Sequence, residues 1–175
     1  MDTHIVQDGE NPVLRSVAKE VPKEMFGTPE LTTILKRMSA ALRVAKNGVA
    51  IAAPQIGEPW RIFLVSGFVI TGNPRNDDDP DKVFINPSMV RQSKERVAYE
   101  GEGCLSVVGM YGTTQRSMRA MVRAQDEAGK KFIRGGSDLL AAIFQHELDH
   151  LEGTLFVDHA TDLHKAKDES EVAEL

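Results

Sequence analysis

The chain has one cysteine, one tryptophan and two tyrosines, and its acids outnumber its bases. A single cysteine closes no internal disulfide, so a reducing compartment, the cytoplasm, is the expected location, and stability must come from a packed core or a metal. Nowhere does an apolar run approach the roughly 20 residues that a bilayer span requires. The N-terminus, Met1-Asp2-Thr3-His4, lacks the charged start and apolar middle of a secretory signal. Neither a membrane partner nor export is therefore expected. Lys and Arg number 21 against 26 Asp and Glu, for a formal charge of −5. That balance argues against a dedicated nucleic-acid surface, which normally shows a basic patch. Repeats and interdomain linkers are absent too, and 175 residues suffice for one real core. A single catalytic domain over 1–165, followed by a polar tail over 166–175, is the expected organisation.

What is present divides into short β-rich runs between two helical segments. Thr28-Pro29-Glu30 reads as a helix start, with threonine as cap and proline in the first turn. Leu31, Ile34, Leu35, Met38, Leu42 and Ala45 then keep a helical stripe to Asn47-Gly48. Strands are expected at Arg61–Val65, Val83–Ile85, Arg96–Tyr99, Met118–Ala124 and Lys131–Arg134, with Glu127-Ala128-Gly129-Lys130 as a hairpin turn. Strands bracketed by long helices predict an α+β fold. Small antiparallel or mixed sheets would surround a buried C-terminal helix, with the N-terminal helix packed on the sheet. Gly72 to Asp81 reads as a solvated polar loop, because its aspartates lack the glycine and distal glutamate of a calcium hand. Asp162 to Leu175 reads as frayed helix or disorder.

The most informative segment is Gln145-His146-Glu147-Leu148-Asp149-His150-Leu151, which contains H-E-x-x-H. Residues four apart stack on one helical face, so both imidazoles can grip one metal while the glutamate between them acts on a water that the metal activates. From Ser137 to Leu151 the segment is apolar on most sides, as a core helix should be. Ser137 or Asp138 is placed to cap it and Gly153 to stop it. Histidines and an acid buried there need compensation, which a cation supplies.

Two histidines leave a tetrahedral ion one protein ligand short. Downstream candidates are Glu152, Asp158, His159 and His164, although His159 and His164 fall in a polar stretch beyond the helix stop. Upstream stands Cys104, in Glu100-Gly101-Glu102-Gly103-Cys104-Leu105-Ser106, where glycines and acids favour a turn. A thiolate there would complete a Cys/His/His set; a small buried apolar residue is the alternative.

Three separated stretches together resemble the peptide deformylase family. They are Gly48-Val49-Ala50-Ile51-Ala52-Ala53-Pro54-Gln55, Glu102-Gly103-Cys104-Leu105-Ser106 and Gln145-His146-Glu147-Leu148-Asp149-His150. The resemblance continues from Asn11-Pro12-Val13-Leu14-Arg15 through Ile85-Asn86-Pro87 to Gly153-Thr154-Leu155-Phe156, covering nearly the whole chain. It implies hydrolysis of the N-formyl group of formyl-methionine on new polypeptides, with release of formate. By the same resemblance Cys104, His146 and His150 hold one divalent ion, Fe(II) in the cell, with Zn(II), Ni(II) or Co(II) as substitutes in purified material. Glu147 is implied as general base and acid. The Leu105 N–H and the Gln55 side-chain amide are implied as donors to the developing oxyanion.

Substrate contacts implied by the family are backbone at Gly48, Ala50 and Gly103, in strand addition, and a methionine pocket with Val49 on one wall. Ala142 and Ile143 precede His146 by four and three residues, which sets them beside the metal face of the helix, and the family places the pocket there. Tyr111 stands where some relatives carry a basic residue near the substrate. Arg116 matches a family arginine and is expected to pair with Glu102 and Asp149, holding the cysteine turn to the helix. Departures lie at Ala50, in place of a second glycine, at Val108, in place of a common proline, and across 109–115, read as a loop; they bear on peptide preference. Some relatives approach the ribosome through a basic C-terminal helix, an inference that the acidic tail here weakens. Two rivals are a different H-E-x-x-H hydrolase with a downstream ligand, and a non-catalytic binder of metal or formyl-peptide.

Overall fold

The first long helix, α1 (Pro29–Val44), begins where Thr28 accepts the Leu31 N–H at 3.3 Å and proline occupies the first turn. In this computed structural model, which describes residues 3–45, 47–74, 76 and 79–166, the chain then runs through β1 (Ala50–Ala52), a 3-10 turn at Ala53–Ile56, β2 (Ile62–Val65) and a short helix α2 (Gly67–Thr71). Next come β3 (Lys82–Gln92), β4 (Arg96–Gly103), β5 (Met110–Ser117), β6 (Arg119–Gln125), β7 (Lys131–Ser137), the long helix α3 (Asp138–Leu151) and β8 (Thr161–Lys165). All pairings of these strands are antiparallel. The larger sheet has the order β1-β2-β3-β6-β7 and the smaller β4-β5-β8. The α+β expectation is met, with helices on a sheet instead of crossovers between parallel strands.

Strand periodicity decides which side chains meet which helix. Phe63, Val65, Phe84, Ala120, Val122 and Ala124 point to α3 and pack with Ala142, Ile143 and Phe144. Phe63 stacks on Phe84 at 4.5 Å between centroids, and Phe144 meets Phe84 edge-on at 5.4 Å. The alternate residues Ile51, Ile62, Leu64, Val83 and Ile85 point the other way, to Leu31, Ile34, Met38 and Leu42 of α1. Metal-ligand candidates on α3 are thus held by a helix clamped to the sheet.

Four expectations need correction. The stretch 162–165 is neither frayed helix nor disorder but strand β8, paired with β5 at Met110↔Lys165 and Tyr111↔His164. Every β8 residue is exposed, so no apolar alternation announced it. Residues 167–175 of the tail, and Arg75, Asp77 and Asp78 of the polar loop, lie outside the described residues. Second, 110–115 belongs to β5, not to a loop. Third, Ser137 occupies the cap position of α3 without a side-chain cap bond, and Asp138 takes φ 51°. Fourth, α1 ends at Val44, short of Asn47. The expected stop beyond α3 is realised: Gly153 sits at φ +73°, and a Cβ there would lie 2.7 Å from the Arg15 backbone.

Candidate metal centre and active site

Cys104 follows the last residue of β4 and opens a turn, its carbonyl accepting the Val107 N–H at 3.0 Å. The turn brings the sulfur to α3, 3.2 Å from His150 Nε2. One ligand atom from each of Cys104, His146 and His150 lies within 4.8 Å of the others, and all three residues are buried. The imidazole rings cross at 70° with centroids 5.0 Å apart, as residues four apart on one helix should. Among the described residues this is the single cluster of three or more such side chains able to hold an ion.

The downstream candidates are occupied elsewhere. Asp158 accepts from Arg15 at 2.6 Å and from the Leu155 N–H, Glu152 pairs with Arg61 at 2.7 Å, and His159 faces Asp149 at 3.3 Å. His164 is exposed on β8. A ligand set that uses the downstream residues therefore finds no support.

Donor chemistry at the cluster fits a cation. His146 Nδ1 is 2.8 Å from Glu102 Oε1, an arrangement that protonates this nitrogen and leaves Nε2 as a lone pair. That Nε2 and both Glu147 oxygens are buried with no hydrogen-bond partner. A native core rarely abandons three such atoms together unless an ion or its water satisfies them. Burial, with the charges of Asp149 and Glu102, raises the Glu147 pKa well above its ordinary value. Burial, then the neighbouring His146, lowers that of His150, which favours the neutral, ligating imidazole.

Behind His146 lies a polar network that the match of Arg116 to a family arginine only partly foretold. Glu102 is fully buried; burial pushes its pKa up, but hydrogen bonds and charge from His146 and Arg116 outweigh that and hold it well below the carboxylate range. Arg116 grips both its oxygens, Nε to Oε2 at 3.0 Å and Nη2 to Oε1 at 2.5 Å, and reaches Asp149 on α3 through Nη1 at 2.7 Å. Thr114 adds a hydroxyl donor to Oε2 at 2.5 Å. No local sequence pattern marks Thr114, because the signal is register: Glu102 faces Gly112 across the β4–β5 pair, so Gly112, Thr114 and Arg116 alternate onto one face. Ser106 was also missed; it sits two residues beyond Cys104 and shares the Gln55 amide.

Gln55 is 1% exposed, not a surface residue. Its Oε1 accepts the Ala52 N–H at 2.8 Å, which orients the amide so that Nε2 donates to Ser106 Oγ at 3.2 Å and points at Cys104 Sγ at 3.7 Å. Among the described residues nothing accepts from the Leu105 N–H. Of the two expected oxyanion donors, the Gln55 amide lies beside the sulfur, and Leu105 follows Cys104 directly in the chain.

Gly48 is buried, and a Cβ on it would press on Leu42 and Ala45 at 3.0 Å. Val49 packs at the margin of the core, and Ala50 opens β1, which pairs with β2 alone and so keeps one edge free. A Cβ on Gly103 would strike the Tyr111 ring at 2.6 Å, so these two positions are mutually required. Tyr111 is 3% exposed, while Ala142 and Ile143 belong to the core under α3. Val108, by contrast, is 70% exposed.

A model of the polypeptide deformylase family matches residues 3–166. The chain belongs to this family. It is 37% identical over 161 residues to the peptide deformylase of Desulforudis audaxviator, covering 90% of this chain and 94% of that one. To the peptide deformylase of Heliobacterium modesticaldum it is 39% identical over 148 residues, covering 85% and 87%. The crystal structure of a peptide deformylase from Legionella pneumophila superimposes with a TM-score of 0.78 at 36% identity, covering 90% of this chain and 85% of the other. Deformylases are metal-dependent amide hydrolases with a single divalent ion, and this chain is such an enzyme. No described helix is long and apolar enough to cross a membrane.

Proposed function

We infer that Glu147, Gln55 and the Leu105 N–H carry out the deformylase reaction, removing the formyl group from formyl-methionine at the N-terminus of newly made polypeptides. Cys104, His146 and His150 would hold the ion. When bound, it lowers the pKa of a water towards neutrality and polarises the formyl oxygen. Glu147 would take a proton from the attacking water as the new C–O bond forms, then deliver it to the departing amine nitrogen as the C–N bond breaks, leaving formate. Its raised pKa suits a carboxyl that must both hold and release a proton. Gln55 Nε2 and the Leu105 N–H donate to the oxygen on which negative charge develops.

The outer edge of β1 at Ala50, with backbone at Gly48 and Gly103, suits an extended peptide added as a strand, with Val49 on one wall and Ala142 and Ile143 beside His146 for the methionine side chain. Glu102, Arg116 and Asp149 fix the His146 tautomer and lock the cysteine turn onto α3. Fe(II) is the cellular metal in this reading, with Zn(II) favoured after aerobic handling because it binds such sites more tightly. The reading places the enzyme in the cytoplasm, acting on nascent chains at or near the ribosome.

The single observation that carries it is the buried, unpartnered Glu147 beside the Cys104–His146–His150 cluster. Neither a mere metal store nor a formyl-peptide binder needs that carboxylate. Anaerobic purification with iron, metal analysis and a formate-release assay on formyl-Met peptides test it. Stoichiometric iron with steady formate release is expected; an iron-loaded sample that binds the peptide without releasing formate would defeat it.

A further inference from the structure

Helix α1 covers only half of its side of the larger sheet. Its apolar residues pack on β1, β2 and β3, whereas β6 and β7 present the same side to solvent. On β6 the inward set is Ala120, Val122 and Ala124, so Arg119, Met121 and Arg123 face outward. Register carries this face across its neighbours. Lys131 stands opposite Gln125, Ile133 opposite Arg123, Gly135 opposite Met121, and on β3 Arg91 opposite Met121.

Every ionisable side chain in that outward set is a cation: Arg91, Arg119, Arg123 and Lys131. Glu95 approaches Arg119 at 4.0 Å across exposed side chains. Arg91, Arg123 and Lys131 make no ion pair among the described residues. In a chain of net charge −5 this is local segregation, which a whole-chain balance conceals. At the Arg119 end of the face a cavity of about 520 Å³ is lined by Arg91, Arg119, Met121 and Gly135 of this set, together with Ala120 and Gly136, whose positions alternate to the other side. Among the described residues β7 ends the sheet with no strand on its outer edge.

We propose that this open cationic face docks the phosphate backbone of RNA. Residues alternate on a strand at about 6.7 Å and strands lie about 4.8 Å apart, so the cations form a spaced array suited to a repeating anion, not a compact pocket for a single one. Guanidinium groups match phosphate oxygens in a bidentate manner. Met121 and Ile133 are exposed on the same face, so a lipid surface is the rival occupant; the spread of cations at strand spacing, with no apolar cluster between them beyond these two, favours a polyanionic backbone. An enzyme that works on nascent chains would gain residence beside RNA, but the inference itself rests on the face and not on the catalytic reading.

Fluorescence anisotropy of the metal-loaded, full-length protein with a labelled RNA duplex of about 20 base pairs tests it. Four phosphate contacts predict a log–log salt slope of about −3.6, hence roughly 100-fold weaker binding at 200 mM than at 50 mM salt. Arg119→Glu with Arg123→Glu should weaken binding at least about 10-fold and reduce the slope by about 2. The same protein should cleave a short formyl-Met peptide at the parental kcat/KM. Lys36→Glu with Arg43→Glu, on α1, makes an equal change in net charge and should leave RNA affinity nearly unchanged. If the reversed pair on β6 misfolds, Arg119→Gln with Arg123→Gln gives the same reading at smaller amplitude. No binding at 50 mM salt, equal weakening by both reversed pairs, or binding to phosphatidylglycerol vesicles without binding to RNA would each overturn the proposal.

Discussion

Replacing Arg116 with methionine tests whether the network behind His146 positions the metal ligands. Methionine keeps most of the side-chain stem but removes the guanidinium that makes three hydrogen bonds to Glu102 and Asp149. The Glu102 side chain is 0% exposed and that of Arg116 5%, so the carboxylate would be stranded where water cannot reach it. Breaking a buried pair from one side costs about 3–5 kcal/mol, more than the bridge itself contributes, because the orphaned charge carries the desolvation penalty. At about 2–4 °C per kcal/mol for a chain of this size, Tm should fall by about 6–20 °C. Loss of an outer partner behind a ligating histidine should also weaken metal binding about 10–100-fold. Adding Glu102→Gln in the same protein removes the stranded charge and should recover about 1–3 kcal/mol of coupling. Asp149→Asn is a contrast: its side chain is 32% exposed and water can stand in for it, so about 1 kcal/mol or less is expected. Thermal and urea unfolding of the metal-loaded protein, with competition by a chelator, reads all four proteins. An Arg116→Met protein that unfolds within about 1 kcal/mol of the parent and keeps its metal affinity would refute the reasoning.

Gln55→Ala should lower kcat by about 10²–10³ while metal content stays stoichiometric, since the amide donates towards developing charge and is not a ligand; loss of metal would reassign it. Cys104→Ala should abolish tight metal binding, whereas His159→Ala with His164→Ala should leave metal content unchanged, as elemental analysis of dialysed protein would show. Glu102 has a depressed pKa, so its contribution is present above the ordinary value of 4.5 and is lost as pH falls through the folded pKa. Denaturant midpoints measured down to about pH 2 should therefore drop more steeply for the parent than for Glu102→Gln. Glu147 works in the opposite sense. Its raised pKa makes the metal-free protein lose stability as pH rises beyond about 4.5, a loss that Glu147→Gln should remove, together with turnover.

Much of the site was legible because its parts are local. H-E-x-x-H places His146 and His150 on one helical face wherever that helix lies, and the apolar run from Leu139 to Leu151 marks the helix as buried. The glycines around Cys104 announce a turn, and Thr28-Pro29 announces the start of α1. Segments whose structure comes from pairing were harder to read. β8 is exposed throughout and acquires its conformation from β5. Thr114 reaches Glu102 only through a register that no single segment encodes. The charge balance is a different kind of signal, since a sum over the chain is blind to which side of a strand a residue occupies.

By itself the order of residues determined the chemistry on offer: two imidazoles one turn apart, a carboxyl between them, a lone thiol and an amide. Helical periodicity and side-chain type are properties of short stretches, so these survive without knowledge of the fold. Only tertiary structure decided that Cys104, and not His159 or His164, meets those imidazoles, that Gln55 is buried with its amide aimed at the sulfur, and that four cations share an uncovered face. Each of these depends on contacts between residues far apart in the chain, which are settled when the whole core packs and not before.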